Sequence, residues 1–271
     1  MIQDSERPSR RSCGGRWVLF FAPALILAAF GSTGPAHAQD RPAASWTGCH
    51  AGVYAGGVFG GQATTTDEGD AKGAPWNQPL GNSWSYPLDA SPLAGGMLGC
   101  DYQTASPVVI GLEAELGYLS VSGSGIAPVS PHGDTRATSR VGNYYGAIAP
   151  RVGWSFGQAL LYLKGGFAFA GEQASVVDTC DAPPCGSGAI TTAGDRTGTG
   201  WVAGGGAEYA LSERWTVRAE YLYVGLDDDF TSCGTSTAGV ARGSVFCFSH
   251  RAQGLSTLKL GVAYRFWTPA P

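Results

Sequence analysis

The chain has 271 residues, of which 14% are charged, 44% are apolar and 42 are glycine, with a formal net charge of −4. Eleven per cent aromatics with few charges exclude global disorder. A negative charge without a Lys/Arg run excludes nucleic acid as a partner. The glycines lack a three-residue period, which excludes collagen.

The first 38 residues read as a secretory signal peptide. Arg7, Arg10, Arg11 and Arg16 lead into the apolar stretch Trp17 to Phe30, and Ala36-His37-Ala38 supplies the small-residue cleavage pattern. Fourteen apolar residues make a helix of about 21 Å, too short for a ~30 Å membrane core. The expected organisation is therefore 1–38 as a cleaved signal and 39–271 as one mature domain. Removing 1–38 takes away four basic side chains, two acidic ones and one cysteine, which leaves six cysteines and a net charge of −6.

No later segment reaches 18 apolar residues, so a helical membrane protein is excluded. The dominant period is two, the signature of strands. Two weaker strands come first, Cys49 to Gly61 and Leu93 to Tyr102. Six clearer ones follow: Val108 to Ser120, Asn143 to Phe156, Leu160 to Gln173, Trp201 to Leu211, Trp215 to Val224 and Ser256 to Phe266. In each clear strand one face is apolar. The other carries glycines and isolated charges, as in Glu113 and Glu115, or Asn143, Ala147, Ala149 and Arg151.

Short connections at 103–107, 157–159 and 212–214 alternate with long ones near 62–91, 121–142, 174–199 and 225–254. That alternation predicts an all-β fold: an eight-stranded antiparallel transmembrane β-barrel with short periplasmic turns and long extracellular loops. The alternative is a soluble sandwich or lipocalin-like barrel with its apolar face inward. Two features favour the membrane. The second face is glycine-rich rather than densely charged. Aromatics also gather at strand ends, among them Trp46, Phe59, Tyr118, Trp154, Phe156, Trp201, Tyr209, Trp215, Tyr221, Tyr264 and Phe266, as in two interfacial girdles.

The inward set is Glu113, Glu115, Glu208 and Glu220 against Arg151, Lys164, Arg218, Lys259 and Arg265. An eight-stranded barrel is just wide enough for side chains to fill, and unpaired charge inside it is costly. A paired, plugging network is expected, with a narrow porin as the alternative. The topology places Cys49 and Cys100 at the same end of adjacent strands, Cys180 and Cys185 in the third long loop, and Cys233 and Cys247 in the fourth. The expected pairs are 49–100, 180–185 and 233–247, out of 15 connectivities. Loop cysteines at these spacings match no zinc pattern.

No nucleophile–base–orienter set is visible, so no enzyme, cofactor or metal is expected. His50, His132 and His250 read as rim or loop residues. Trp76, Trp84 and Tyr86 in the first long loop read as rim packing rather than a binding surface, and Asp227-Asp228-Asp229 as a solvated turn.

The segment Trp46-Thr47-Gly48-Cys49-His50-Ala51-Gly52-Val53-Tyr54-Ala55-Gly56-Gly57 resembles the opening strand of the small outer-membrane β-barrel family, which includes immunogenic surface proteins and "porin family" chains. Val109 to Glu115, Pro150 to Trp154, Leu161 to Ala168, Gly204 to Leu211, Arg218 to Tyr223 and Leu260 to Phe266 match in the same order. The resemblance implies an outer-membrane location in a Gram-negative cell, no catalytic activity and no cofactor. The implied partners are outer-membrane lipids and, during biogenesis, the barrel-assembly machinery, which would read Tyr264 and Phe266. A structural, surface-exposed envelope role is expected, with passive diffusion of small solutes or loop-mediated adhesion to a host or surface ligand as alternatives. Family members usually end on the last aromatic. Here Trp267-Thr268-Pro269-Ala270-Pro271 follows Phe266, so either a short tail is tolerated or the last strand runs one residue further.

Overall fold

A computed structural model describes residues 44–76, 79–128, 134–179 and 188–268. The expected signal peptide 1–38, the expected Cys180–Cys185 pairing and His132 lie outside them. Twelve strands are present among the described residues: β1 (Gly48–Phe59), β2 (Gln62–Asp70), β3 (Ser83–Pro87), β4 (Ser91–Gln103), β5 (Val108–Ile126), β6 (Thr135–Phe156), β7 (Ala159–Asp178), β8 (Ile190–Ala210), β9 (Trp215–Leu226), β10 (Phe230–Thr235), β11 (Val245–Gln253) and β12 (Leu255–Trp267).

Eight of them close an antiparallel barrel in the order β1-β12-β9-β8-β7-β6-β5-β4. These eight are the strands legible from the period-two pattern. Closure pairs β1 with β12, from Phe59 opposite Ser256 to His50 opposite Arg265. The last strand extends to Trp267, so it does run one residue past Phe266.

The outward face is apolar. Val53, Leu98, Leu112, Leu116, Ile148, Leu161, Leu163 and Leu260 are each half or more exposed. A continuous band of this kind belongs against lipid, not water. Stacked aromatics mark its two edges: Trp215 lies 5.0 Å from Tyr264 at the short-turn end, and Trp201 lies 5.3 Å from Tyr223 at the other. Trp46 departs from the girdle expectation. It precedes β1, is fully buried, and sits inside the barrel mouth.

The long connections are mostly not loops. β5 to β8 run 19 to 22 residues. At ~3.3 Å per residue and ~45° tilt, twenty residues rise about 47 Å, well beyond the ~25 Å apolar band. Above the membrane, β2, β3, β10 and β11 form a separate sheet in the order β10-β11-β2-β3. Its edges meet the walls. β10 lies against β8, with Thr237 N–H donating to Ala189 C=O at 2.8 Å just beyond it. β3 lies beside β5, with Asp89 N–H donating to Ser122 C=O at 2.9 Å. The walls β5–β8 thus serve two stacked compartments, one closed by β1, β4, β9 and β12 and one faced by the four-stranded head. Gly60 (φ 70°), Gly61 (φ 98°) and Gly254 (φ 78°) turn the chain between them in the left-handed region that glycine occupies without strain.

One bulge interrupts β6. Its register with β7 shifts between Val141 and Tyr145, and Asn143 takes φ 69°. The extra residue leaves Asn143 exposed, where unbroken alternation had placed it inward.

Candidate functional site

The lumen is filled in tiers. At the short-turn end the segment before β1 crosses the mouth. Ala44 N–H donates to Gly157 C=O at 3.2 Å, and Trp46 N–H donates to Gln103 Oε1 at 3.0 Å. Gln103 Nε2 is itself held by Ser155 Oγ at 3.0 Å. The Trp46 ring packs with Val109, Leu160, Tyr162 and Ala210. Arg265 lies 5.6 Å over that ring and donates to Ser45 C=O.

The next tier is ionic. Arg151 grips Asp101 with two bonds, Nε to Oδ1 at 2.7 Å and Nη2 to Oδ2 at 2.5 Å, and reaches Glu208 at 2.6 Å with Nη1. His50 stands between Asp101 and Glu113, 3.3 Å from each. Above it, Arg218 donates to both oxygens of Glu113 at 2.6 and 2.9 Å and to Glu220 at 2.7 Å. Lys164 contacts Glu113 at 2.7 Å and Glu115 at 3.1 Å. Lys259 lies 2.8 Å from both Glu115 and Glu220. Tyrosine hydroxyls complete the carboxylates: Tyr145 donates to Glu115 and Tyr162 to Glu220, each at 2.7 Å.

All nine inward charges read from the sequence are buried here. Eight of them share this network, and Arg265 sits just below it with Trp46. Asp101 and His50 join them, so in the network five carboxylates face four permanent cations and one imidazole, with Arg265 a fifth cation just below. Balance of this kind is what makes buried charge tolerable. The oxygens of Glu113, Glu115 and Glu220 lie within 4.8 Å of one another, a spacing that suits a metal ion. Arg218, Lys164 and Lys259 already supply the positive charge there, so a divalent ion would have to displace them.

Above the charges the interior turns apolar. Val58, Leu93, Leu119, Val121, Val224 and Leu255 are buried and continue into the head, where Trp76, Trp84, Tyr86, Phe246 and Phe248 form its core. The three loop aromatics therefore lie inside the head, not on the rim. Trp76 stacks edge-on against Phe246 at 4.9 Å.

His250 is also interior, contrary to the loop-histidine expectation. It has Thr65 Oγ1 at 3.2 Å on Nδ1 and Ser232 Oγ at 2.8 Å on Nε2. The chain of hydroxyls continues through Tyr86 to Ser139 on one side and through Thr192 on the other. Burial pushes the His250 imidazole down to about 4. The acidic turn is partly engaged: Asp228 accepts from Thr199 at 2.7 Å, and Asp229 pairs with Arg251.

The disulfides at Cys49–Cys100 and Cys233–Cys247 join residues directly opposite on paired strands, with Cα separations of 4.0 and 4.1 Å.

The family of the outer membrane protein beta-barrel domain matches residues 24–266. The 31 kDa outer-membrane immunogenic proteins of Brucella melitensis and Brucella suis are 33% identical over 187 residues, which cover 67% of this chain and 72% of each relative. Similar solved structures include OprG of Pseudomonas aeruginosa (12% identity, TM-score 0.43, 82% of this chain and 98% of that one). A major outer membrane protein of Thermus thermophilus is another (15% identity, TM-score 0.42, 80% and 99%).

Proposed function

Because the chain belongs to the outer-membrane β-barrel family and is an outer-membrane protein, we propose that it is a sealed, non-conducting envelope barrel that carries a rigid head outside the cell. In this reading residues 1–38 are removed on export. The short turns face the periplasm, the assembly machinery engages Tyr264 and Phe266, and the protein performs no catalysis.

One observation carries the sealed reading: the lumen is occupied at three successive heights, by Trp46, by the paired charges and by the apolar tier. A conducting pore needs a continuous aqueous path lined by one sign of charge or by waters. Here each inward cation is met by a carboxylate, a backbone carbonyl or an aromatic face.

Bilayer recording of refolded Gln39–Pro271, beside its heat-modifiable gel mobility, tests this. Heat-modifiable protein without unitary channels is the expected result. Reproducible channels would make it a narrow porin and overturn the sealed reading.

A further inference from the structure

The outer face of the head sheet is unusual for its regularity. Ser83, Thr66, Ser249 and Thr231 stand directly opposite one another across β3, β2, β11 and β10. Adjacent strands are ~4.8 Å apart, so this is a straight row of four hydroxyls at that spacing. A second row, ~6.8 Å further along the strands, holds Ser85, Thr64 and Arg251. Hydroxyls within the rows already align: Thr66 and Ser83 are 2.7 Å apart, and Thr64 and Ser85 are 2.8 Å apart.

The rows are held in place from behind. The inward neighbours Trp84, Tyr86, Thr65, Phe248 and His250 are buried. The Cys233–Cys247 bridge crosses the same sheet between β10 and β11. A surface fixed in this way loses little entropy on binding.

We propose that this face docks a neutral polysaccharide. A repeating polyhydroxyl chain offers donors and acceptors at regular intervals, and hydroxyl rows on a flat sheet return both. The charge on the face decides against a polyanion. Its one arginine, Arg251, is paired with Asp229, and Glu68 lies exposed on β2 beside the rows. The proposal rests on the head being outside the cell. It does not depend on whether the barrel conducts, because bilayer recording and glycan binding read different parts of the molecule.

The test uses refolded Gln39–Pro271 in detergent, titrated onto immobilised dextran, mannan and dextran sulfate. The variants are Thr66→Val with Ser249→Ala, and Thr231→Val. Thr138→Val, on the outer face of β6, is the control. All are first checked for heat-modifiable mobility, which reports a folded barrel. Binding to dextran or mannan, weakened about tenfold by the row variants and unchanged by the control, is the expected outcome. No binding to either neutral polymer, binding to dextran sulfate alone, or row variants that bind like the parent would each overturn the proposal.

Discussion

Arg218 and Glu113 join opposite walls of the barrel. β9 and β5 are four places apart in the eight-strand ring, so the two bonds between them, at 2.6 and 2.9 Å, span its diameter. Both side chains are buried, and the pair ties together the groups around it. Removing one partner leaves the other charge desolvated, a loss of about 3–5 kcal/mol where nothing replaces it. Arg218→Met is therefore expected to lower the unfolding free energy in vesicles by about 3 kcal/mol. Adding Glu113→Gln to it should return part of that loss, because it restores the balance of buried charge; Lys164 still reaches Glu113 at 2.7 Å in the single variant, so the recovery is partial. Urea titration of the two variants reads both effects, and a double variant weaker than the single would count against a shared charge pair.

Trp46 is the closure of the short-turn mouth. Its ring fills a space bounded by Val109, Leu160 and Tyr162, and its backbone is pinned to Gln103. Trp46→Ala removes a fully buried indole, at a cost of about 3–5 kcal/mol where the site does not collapse. The barrel wall does not depend on it, so heat-modifiable mobility should persist with a lower urea midpoint. A midpoint equal to the parent's would show that the segment is not seated in the mouth.

The membrane ring was legible because its two faces differ at every second residue. Glu113, Glu115, Lys164, Arg218 and Lys259 all fall on the glycine-rich face, and that parity carried them to the lumen. Asp101 and His50 were missed although the same parity reaches them, because their strands have few inward side chains and read as weak. The head was not legible for a different reason. β2 turns Ala63, Thr65 and Asp67 inward and Thr64, Thr66 and Glu68 outward, so polarity does not alternate along it. Its interior is held by hydroxyl bonds and by aromatics from other segments, and pairing at such distance leaves no local signal. Trp46 misled because an aromatic near a strand end satisfies the girdle pattern whether it points to lipid or into the mouth.

The two disulfides constrain different lengths of chain. Cys49 and Cys100 are 51 residues apart, Cys233 and Cys247 only 14. The chain-entropy model gives about 4 kcal/mol for the first and about 3 kcal/mol for the second. Paired serine substitutions at 49 and 100 should lower barrel stability more than those at 233 and 247. The second pair should act locally, raising protease cleavage within 227–254 while mobility on gels stays heat-modifiable. Equal cleavage in both double variants would contradict that separation.

The head should loosen in acid through His250. The imidazole is neutral, bonded to Thr65 and Ser232, and no carboxylate pairs with it among the contacts described. Phe230 stands 5.3 Å from it and 5.4 Å from the Arg196 guanidinium on β8. Of the other inward titratable groups on the packed elements, Asp67 on β2 accepts from the Gly69 and Trp76 backbone. Glu172 on β7 is engaged by Arg196, Asp178 on β7 accepts from Thr135 and Trp76, and Tyr86 on β3 joins the hydroxyl chain. Burial holds the folded imidazole at about 4, below the unfolded value of 6.5. Between those two values the unfolded chain binds the extra proton, so stability rises with pH across this window and falls as pH drops from about 6.5 to about 4. The full excursion corresponds to about 3 kcal/mol. Limited proteolysis of the intact refolded protein at pH 7 and pH 4.5 should show faster cleavage of the head in acid, with the membrane ring unaffected. His250→Gln keeps a neutral donor and acceptor and should flatten that dependence. A variant that still loosens in acid like the parent would overturn the assignment to His250, since burial shifts Asp67 and Glu172 upward and their protonation would firm the head in acid.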